Sequence, residues 1–155
     1  MSSQRQSWRE FTALIERLTH VGSVDDPLSQ DWLGEREGLL EAVWFPKHPR
    51  SIRRGDLLVY YAATRGRFPA VVEVKSDEVH TRPDDYSERW PWFMEVRPRL
   101  VIPYLDQAPD LADMGLDPLR LRRQSHIRLT DDEWERFRRT YLPPHGHYAA
   151  ATNAV

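Results

Sequence analysis

Leu57-Leu58-Val59-Tyr60-Tyr61-Ala62 is the stretch that most restricts how this chain folds, because it is apolar almost throughout. A strand with one wet face alternates apolar and polar residues, whereas an unbroken apolar run needs cover on both faces. The run follows Arg53-Arg54-Gly55-Asp56 and leads into Arg65-Gly66-Arg67, a turn signal, after which Ala70–Lys75 returns as a second strand. Such a strand belongs to the middle of a sheet that is covered on both sides.

Around it the sequence punctuates further elements. Leu39–Phe45 reads as a strand that ends at Pro46 and Pro49, and Trp92–Val96 and Leu100–Leu105 read as two more, separated by Arg97-Pro98-Arg99. Ser125–Leu129 is the last strand. Trp8, Phe11, Leu14, Ile15 and Leu18 recur at helical spacing, which predicts an amphipathic helix over Ser7–Thr19 with Ser7 as N-cap. Val21–Gly38, rich in Gly, Asp and Ser, reads as a loop with a turn around Trp32. Leu116–Arg123 suits a short turn of helix. Thr130-Asp131-Asp132-Glu133 is a capping box, and it starts a helix with Trp134, Phe137 and Tyr141 on one side. The expected architecture is α+β: a mixed β-barrel of five to six strands flanked by helices.

At 155 residues the chain suits one domain, expected over 1–142 with its core in 39–142 and a flexible tail over 143–155. The absence of cysteine removes disulfide frameworks, thiol nucleophiles, thiolate zinc sites and iron–sulfur clusters together. No apolar run approaches a membrane span, and Met1–Arg9 lacks the apolar stretch of a signal peptide, so a cytoplasmic protein is expected. A net charge of −2 excludes gross polycation behaviour without excluding local basic patches. All but two of the 22 basic residues, Lys47 and Lys75, are arginine, which codon bias explains as well as phosphate binding does.

Three groups of residues carry possible chemistry. Trp90-Pro91-Trp92 stands before a strand, and in extended chain its two indoles face the same way, about 7 Å apart. Trp44 lies at another strand end beside Pro46. Tryptophans so placed either stack a base, worth about 1–3 kcal/mol each, or plug a barrel end. Arg50, Arg53 and Arg54 precede the Leu57 strand and could hold phosphates, with a salt-dependent affinity. Asp56 followed by Glu73-Val74-Lys75 matches the loose spacing of Mg²⁺-dependent nucleases, although an ion pair on a solvated sheet face explains it equally. The histidines His20, His48, His80 and His126 are scattered and form no zinc spacing. No phosphate loop or nucleophile elbow is present. With no complete catalytic set, no metal site and no cofactor expected, a binder is favoured. A nuclease using Asp56, Glu73 and Lys75, or a small-molecule-binding domain, is the alternative.

Four segments in order resemble the EVE domain, a relative of YTH and PUA-like nucleic-acid-binding barrels. They are Val43-Trp44-Phe45-Pro46 with Arg50 behind it, Ile52 to Tyr61 with its basic-Gly-Asp turn, Trp90 to Pro98, and Ser125 to Phe137. The resemblance spans Leu39–Leu142. It implies a PUA-like barrel whose aromatic cage takes one modified, flipped or unpaired base of DNA or RNA, methylcytosine or methylated adenine among them. By position Trp44 resembles one wall and Trp90 the other, with Trp92 and Tyr60 as second candidates and Arg50, Arg53 and Arg54 on the flanking phosphates. Two departures stand out: the family opens with a strand where this chain has its Ser7–Thr19 helix, which leaves Val21–Val24 as its first strand or the strand missing, and Phe45 follows Trp44 where a small residue is usual.

Overall fold

The computed structural model describes residues 18–24, 30–35, 37–62, 65–81, 90–117, 119–122 and 126–141. Most of the expected Ser7–Thr19 helix and the whole of the 143–155 tail lie outside them. Seven strands form one mixed sheet: β1 (Leu18–Val24), β2 (Ala42–Phe45), β3 (Leu57–Ala62), β4 (Arg67–Val74), β5 (His80–Thr81), β6 (Trp92–Val101) and β7 (His126–Arg128). Their order is β2-β6-β4-β3-β1-β7, with β5 beside the first half of β6. Among the described strands only β1 and β3 run parallel; every other pair is antiparallel.

Two expectations are corrected here. Leu18 and Thr19 open strand β1 instead of closing a helix, and Val21–Val24, a loop by composition but the first strand by the family resemblance, completes it. Pairing with β3 and β7 on its two sides outweighs the helical spacing of the apolar residues before it. The two strands expected on either side of Arg97-Pro98-Arg99 are one ten-residue strand, β6. Its pairing with β4 skips a residue between Pro98 and Leu100, so Arg99 forms a bulge, a place where a strand tolerates proline beside it.

The sheet rolls up. Strands β2 and β7 stand at opposite ends of the order, yet Phe45 of β2 and His126 of β7 meet edge to face, ring centroids 5.1 Å apart. Inside the roll lie Phe45, Leu58, Tyr60, Val72, Val74, Met94 and Val96. Trp32, on the short helix α1 (Trp32–Glu35), is fully buried against them and donates its indole N–H to the Ile102 carbonyl at 3.0 Å. Outside, Leu57, Val59, Val71 and Leu100 are covered by Met114 of α2 (Leu111–Met114) and Phe137 of α4 (Asp131–Tyr141). Strand β3 is thus buried on both faces, as its apolar run requires. Helix α3 (Leu119–Arg122) leads towards β7. Helix α4 starts at the expected capping box: the Glu133 N–H donates to Thr130 Oγ1 at 3.2 Å, and the Thr130 N–H to Glu133 Oε1 at 2.9 Å. The architecture is an α+β, barrel-like curled sheet. No helix among the described residues is long and apolar enough to cross a membrane.

Candidate functional site

One end of the roll carries two loops, 46–56 between β2 and β3 and 75–79 between β4 and β5. Between them lies a cleft of about 600 Å³, with His48, Arg50, Arg53 and Arg54 on one side, Asp77 and Glu78 on the other, and Met94 and Ile52 on its apolar lining. The first loop is shaped by its own sequence. The Arg50 N–H donates to the His48 carbonyl at 3.0 Å, and the Ile52 N–H to the Pro49 carbonyl at 3.3 Å. The Arg53 N–H donates to Asp56 Oδ2 at 2.9 Å while the Asp56 N–H donates to the Arg53 carbonyl at 3.0 Å. Gly55 supplies the φ of 91° that this closure needs, and its N–H then joins the Val74 carbonyl at 2.8 Å. Arg50, Arg53 and Arg54 therefore gather on one cleft. Arg54 is paired with Asp77 at 3.3 Å, both well exposed. The guanidinium groups of Arg50 and Arg53 have no carboxylate partner among the described residues.

The aromatic candidates do not converge. Trp44 pairs across the ladder with Phe93 and Phe45 with Trp92, and successive strand residues point to opposite faces. Trp92 packs towards the interior cluster and meets His48 edge to face at 4.9 Å, beside the arginine cleft. Trp44 lies on the opposite face, tilted over Phe93 at 4.6 Å, with His80 on the far side of Phe93 at 5.1 Å. Tyr60 is buried and donates its hydroxyl to the Leu39 carbonyl at 2.5 Å. Burial pushes its phenol well above its ordinary pKa. Trp90 is half-buried just ahead of β6. One cage built from Trp44, Trp92 and Tyr60 is therefore excluded by the ladder, which puts Trp44 in an outer aromatic row: Trp92 packs on the interior cluster and touches His48 of the cleft, and Tyr60 is core.

Nor do Asp56, Glu73 and Lys75 form one site. Glu73 pairs with Leu57, so Asp56, one residue earlier in the chain, falls on the other face. The Glu73 carboxylate is buried and bridges Arg97 at 3.2 Å and Arg99 at 3.1 Å. Asp56 closes the loop turn, and Lys75 is exposed. Among the described residues no three His, Asp or Glu side chains stand close enough to hold a metal ion.

One participant was invisible in the sequence. His20 of β1 is fully buried on the interior face, where Nε2 lies 3.3 Å from Ser51 Oγ and Nδ1 lies 4.0 Å from Asp56 Oδ2. The ring of His126 is 6.3 Å away. Burial lowers the His20 pKa from 6.5 to about 4; Asp56 opposes this in part, and His126 and Arg128 add to it. The signal for His20 is its register, inward like Leu58 across the parallel ladder, and it becomes readable only once β1 is known to be a strand.

No family model matches the chain. No curated protein matches it either. Among solved structures, it is similar to the NMR structure of Rpa0253 from Rhodopseudomonas palustris, at 23% identity over 78% of this chain and 90% of that one, with a TM-score of 0.44. It is also similar to the X-ray crystal structure of Atu2648 from Agrobacterium tumefaciens, at 18% identity over 79% of this chain and 92% of that one, with a TM-score of 0.48. What the site can do rests on its own geometry.

Proposed function

We propose that this chain is a non-enzymatic nucleic-acid-binding module that reads a modified or flipped base. The observation that carries the reading is the gathering of Arg50, Arg53 and Arg54 on one cleft next to the Trp92–His48 pair. Two of the guanidinium groups are available to phosphate oxygens, which position a strand without reading its sequence. The Trp92 indole supplies a stacking surface beside them, and the apolar lining from Met94 and Ile52 suits a methyl group on the base. A volume of about 600 Å³ matches the usual size of small-ligand pockets and accommodates a nucleotide. Trp44, over Phe93 on the other face, serves as a second stacking surface instead of an opposing wall, and Trp90 stands at the entrance to β6. The EVE-like order of motifs agrees with this reading, as does a cytoplasmic setting with DNA or RNA as partner.

Tryptophan fluorescence during titration at low salt, with short oligonucleotides carrying plain, methylated and hydroxymethylated bases, tests the reading. Saturable quenching that favours one modified oligonucleotide and weakens steeply with salt is expected. Flat titrations across the set overturn it, and binding of free nucleotides alone would make the cleft a small-molecule site.

A further inference from the structure

We propose that His20 is a positioning residue that sets the arginine loop for phosphate, a role that rests on the nucleic-acid reading above. The loop's three arginines belong to five consecutive residues, 50–54, and none touches the barrel wall through a ladder hydrogen bond of its own. Their geometry is set from below. His20 reaches from β1 into the interior, and its two ring nitrogens address two points of that loop. Nε2 meets the hydroxyl of Ser51, the residue directly after Arg50, at 3.3 Å. Nδ1 faces Asp56 Oδ2 at 4.0 Å, an electrostatic contact longer than a hydrogen bond, and the same oxygen accepts the Arg53 N–H at 2.9 Å. One ring thus spans the loop from Arg50 to the residue that closes the turn at Arg53.

The surroundings of His20 make this assignment specific. Its partner across the parallel ladder, Leu58, is apolar and fully buried. An apolar side chain would fill the same space without the cost of burying an imidazole. Among the described residues, charged and titratable groups around the ring include Asp56, His126 and Arg128, and of these Asp56 belongs to the arginine loop. A polar ring in this place ties the loop to the sheet through Ser51 and Asp56, the residues next to Arg50 and closing the turn at Arg53.

The test compares the full chain with His20→Phe, His20→Gln and Ser51→Ala in two measurements. The first is affinity for the oligonucleotide selected by wild type, taken over a range of salt. The second is amide hydrogen exchange without ligand, comparing Arg53 with Val59 and Val72. In His20→Phe the affinity is expected to fall about tenfold, and the slope of log affinity against log salt to drop by about 0.7–0.9 for each phosphate that the arginines no longer neutralise. The Arg53 amide should exchange faster while Val59 and Val72 stay protected. His20→Gln, whose amide can still donate to Ser51, should recover part of both effects, and Ser51→Ala should show a smaller loss of the same sign without disturbing the interior. Unchanged salt slope and unchanged Arg53 exchange in His20→Phe and Ser51→Ala overturn the proposal. Should His20→Phe not fold, Ser51→Ala and His20→Gln decide by the same two readouts. Wild type that binds no oligonucleotide sinks the nucleic-acid reading instead, and the exchange of Arg53 then decides separately whether His20 holds the loop.

Discussion

Mild acid should destabilise this fold through a buried ring. His20 is fully buried, and its pKa is lowered from 6.5 to about 4, first by burial, with Asp56 partly opposing. The native state keeps it neutral, whereas the unfolded chain takes up a proton as the pH falls through 6.5. The unfolded state therefore binds more protons in this interval, and stability rises with pH across it. Each pKa unit is worth about 1.4 kcal/mol, so a difference of about 2.5 units costs about 3 kcal/mol once the pH is below about 4, and about 2 kcal/mol is already lost near pH 5. The pKa of His126, also lowered by burial, adds in the same direction. Urea unfolding of wild type and His20→Gln at several values between about pH 7.5 and pH 4 measures this. Wild type should lose about 2 kcal/mol more than the variant between about pH 7.5 and pH 5, because carboxylates common to both cancel in the comparison. Parallel stability curves for the two proteins would refute the reasoning, since His20 would then carry no shifted proton.

Three further outcomes follow from the packing and the cleft. Phe137 is fully buried and meets Phe68 edge to face at 5.4 Å, so Phe137→Ala should lower unfolding free energy by about 3–5 kcal/mol in a urea titration. Thr130→Ala removes the acceptor of the Glu133 N–H at the start of α4 and should cost about 1 kcal/mol in the same assay. Arg53→Ala should reduce the salt slope of oligonucleotide binding by about 0.7–0.9 and leave thermal unfolding in place, because its side chain is exposed on the cleft.

The sequence made some of this plain and hid the rest for identifiable reasons. The apolar run of β3 and the Thr130–Glu133 box are local signals: each needs only its own few residues, and each lies where expected. The start of strand β1 was hidden because Leu18 continues a helical spacing, while what makes it a strand is a parallel partner almost forty residues away. The continuity of β6 was hidden by Pro98, a strand breaker in general but tolerated beside the bulge at Arg99. In the candidate site the arginines were legible because neighbours in sequence stay neighbours in a short loop. The tryptophans were not, since the face on which each falls depends on a cross-strand register that places Trp44 with Phe93 and Trp92 with Phe45. His20 needed both β1 and its register before its nitrogens could be aimed at anything.

Among the described residues β2 and β7 share no ladder, and Phe45 and His126 bring the two ends of the sheet together ring against ring. A zipper of backbone bonds holds or breaks in steps; two rings in contact can slide. Strand β2 runs directly into the loop that carries the arginines, so the wall of the cleft is attached to the edge of the sheet where this ring contact lies. On the proposed reading, any adjustment of the mouth to a nucleotide would fall on β2 while the ladders of β3, β4 and β6 stay intact. Selectivity between related bases would accordingly register as different protection of β2 amides in the bound states, with the central strands unchanged.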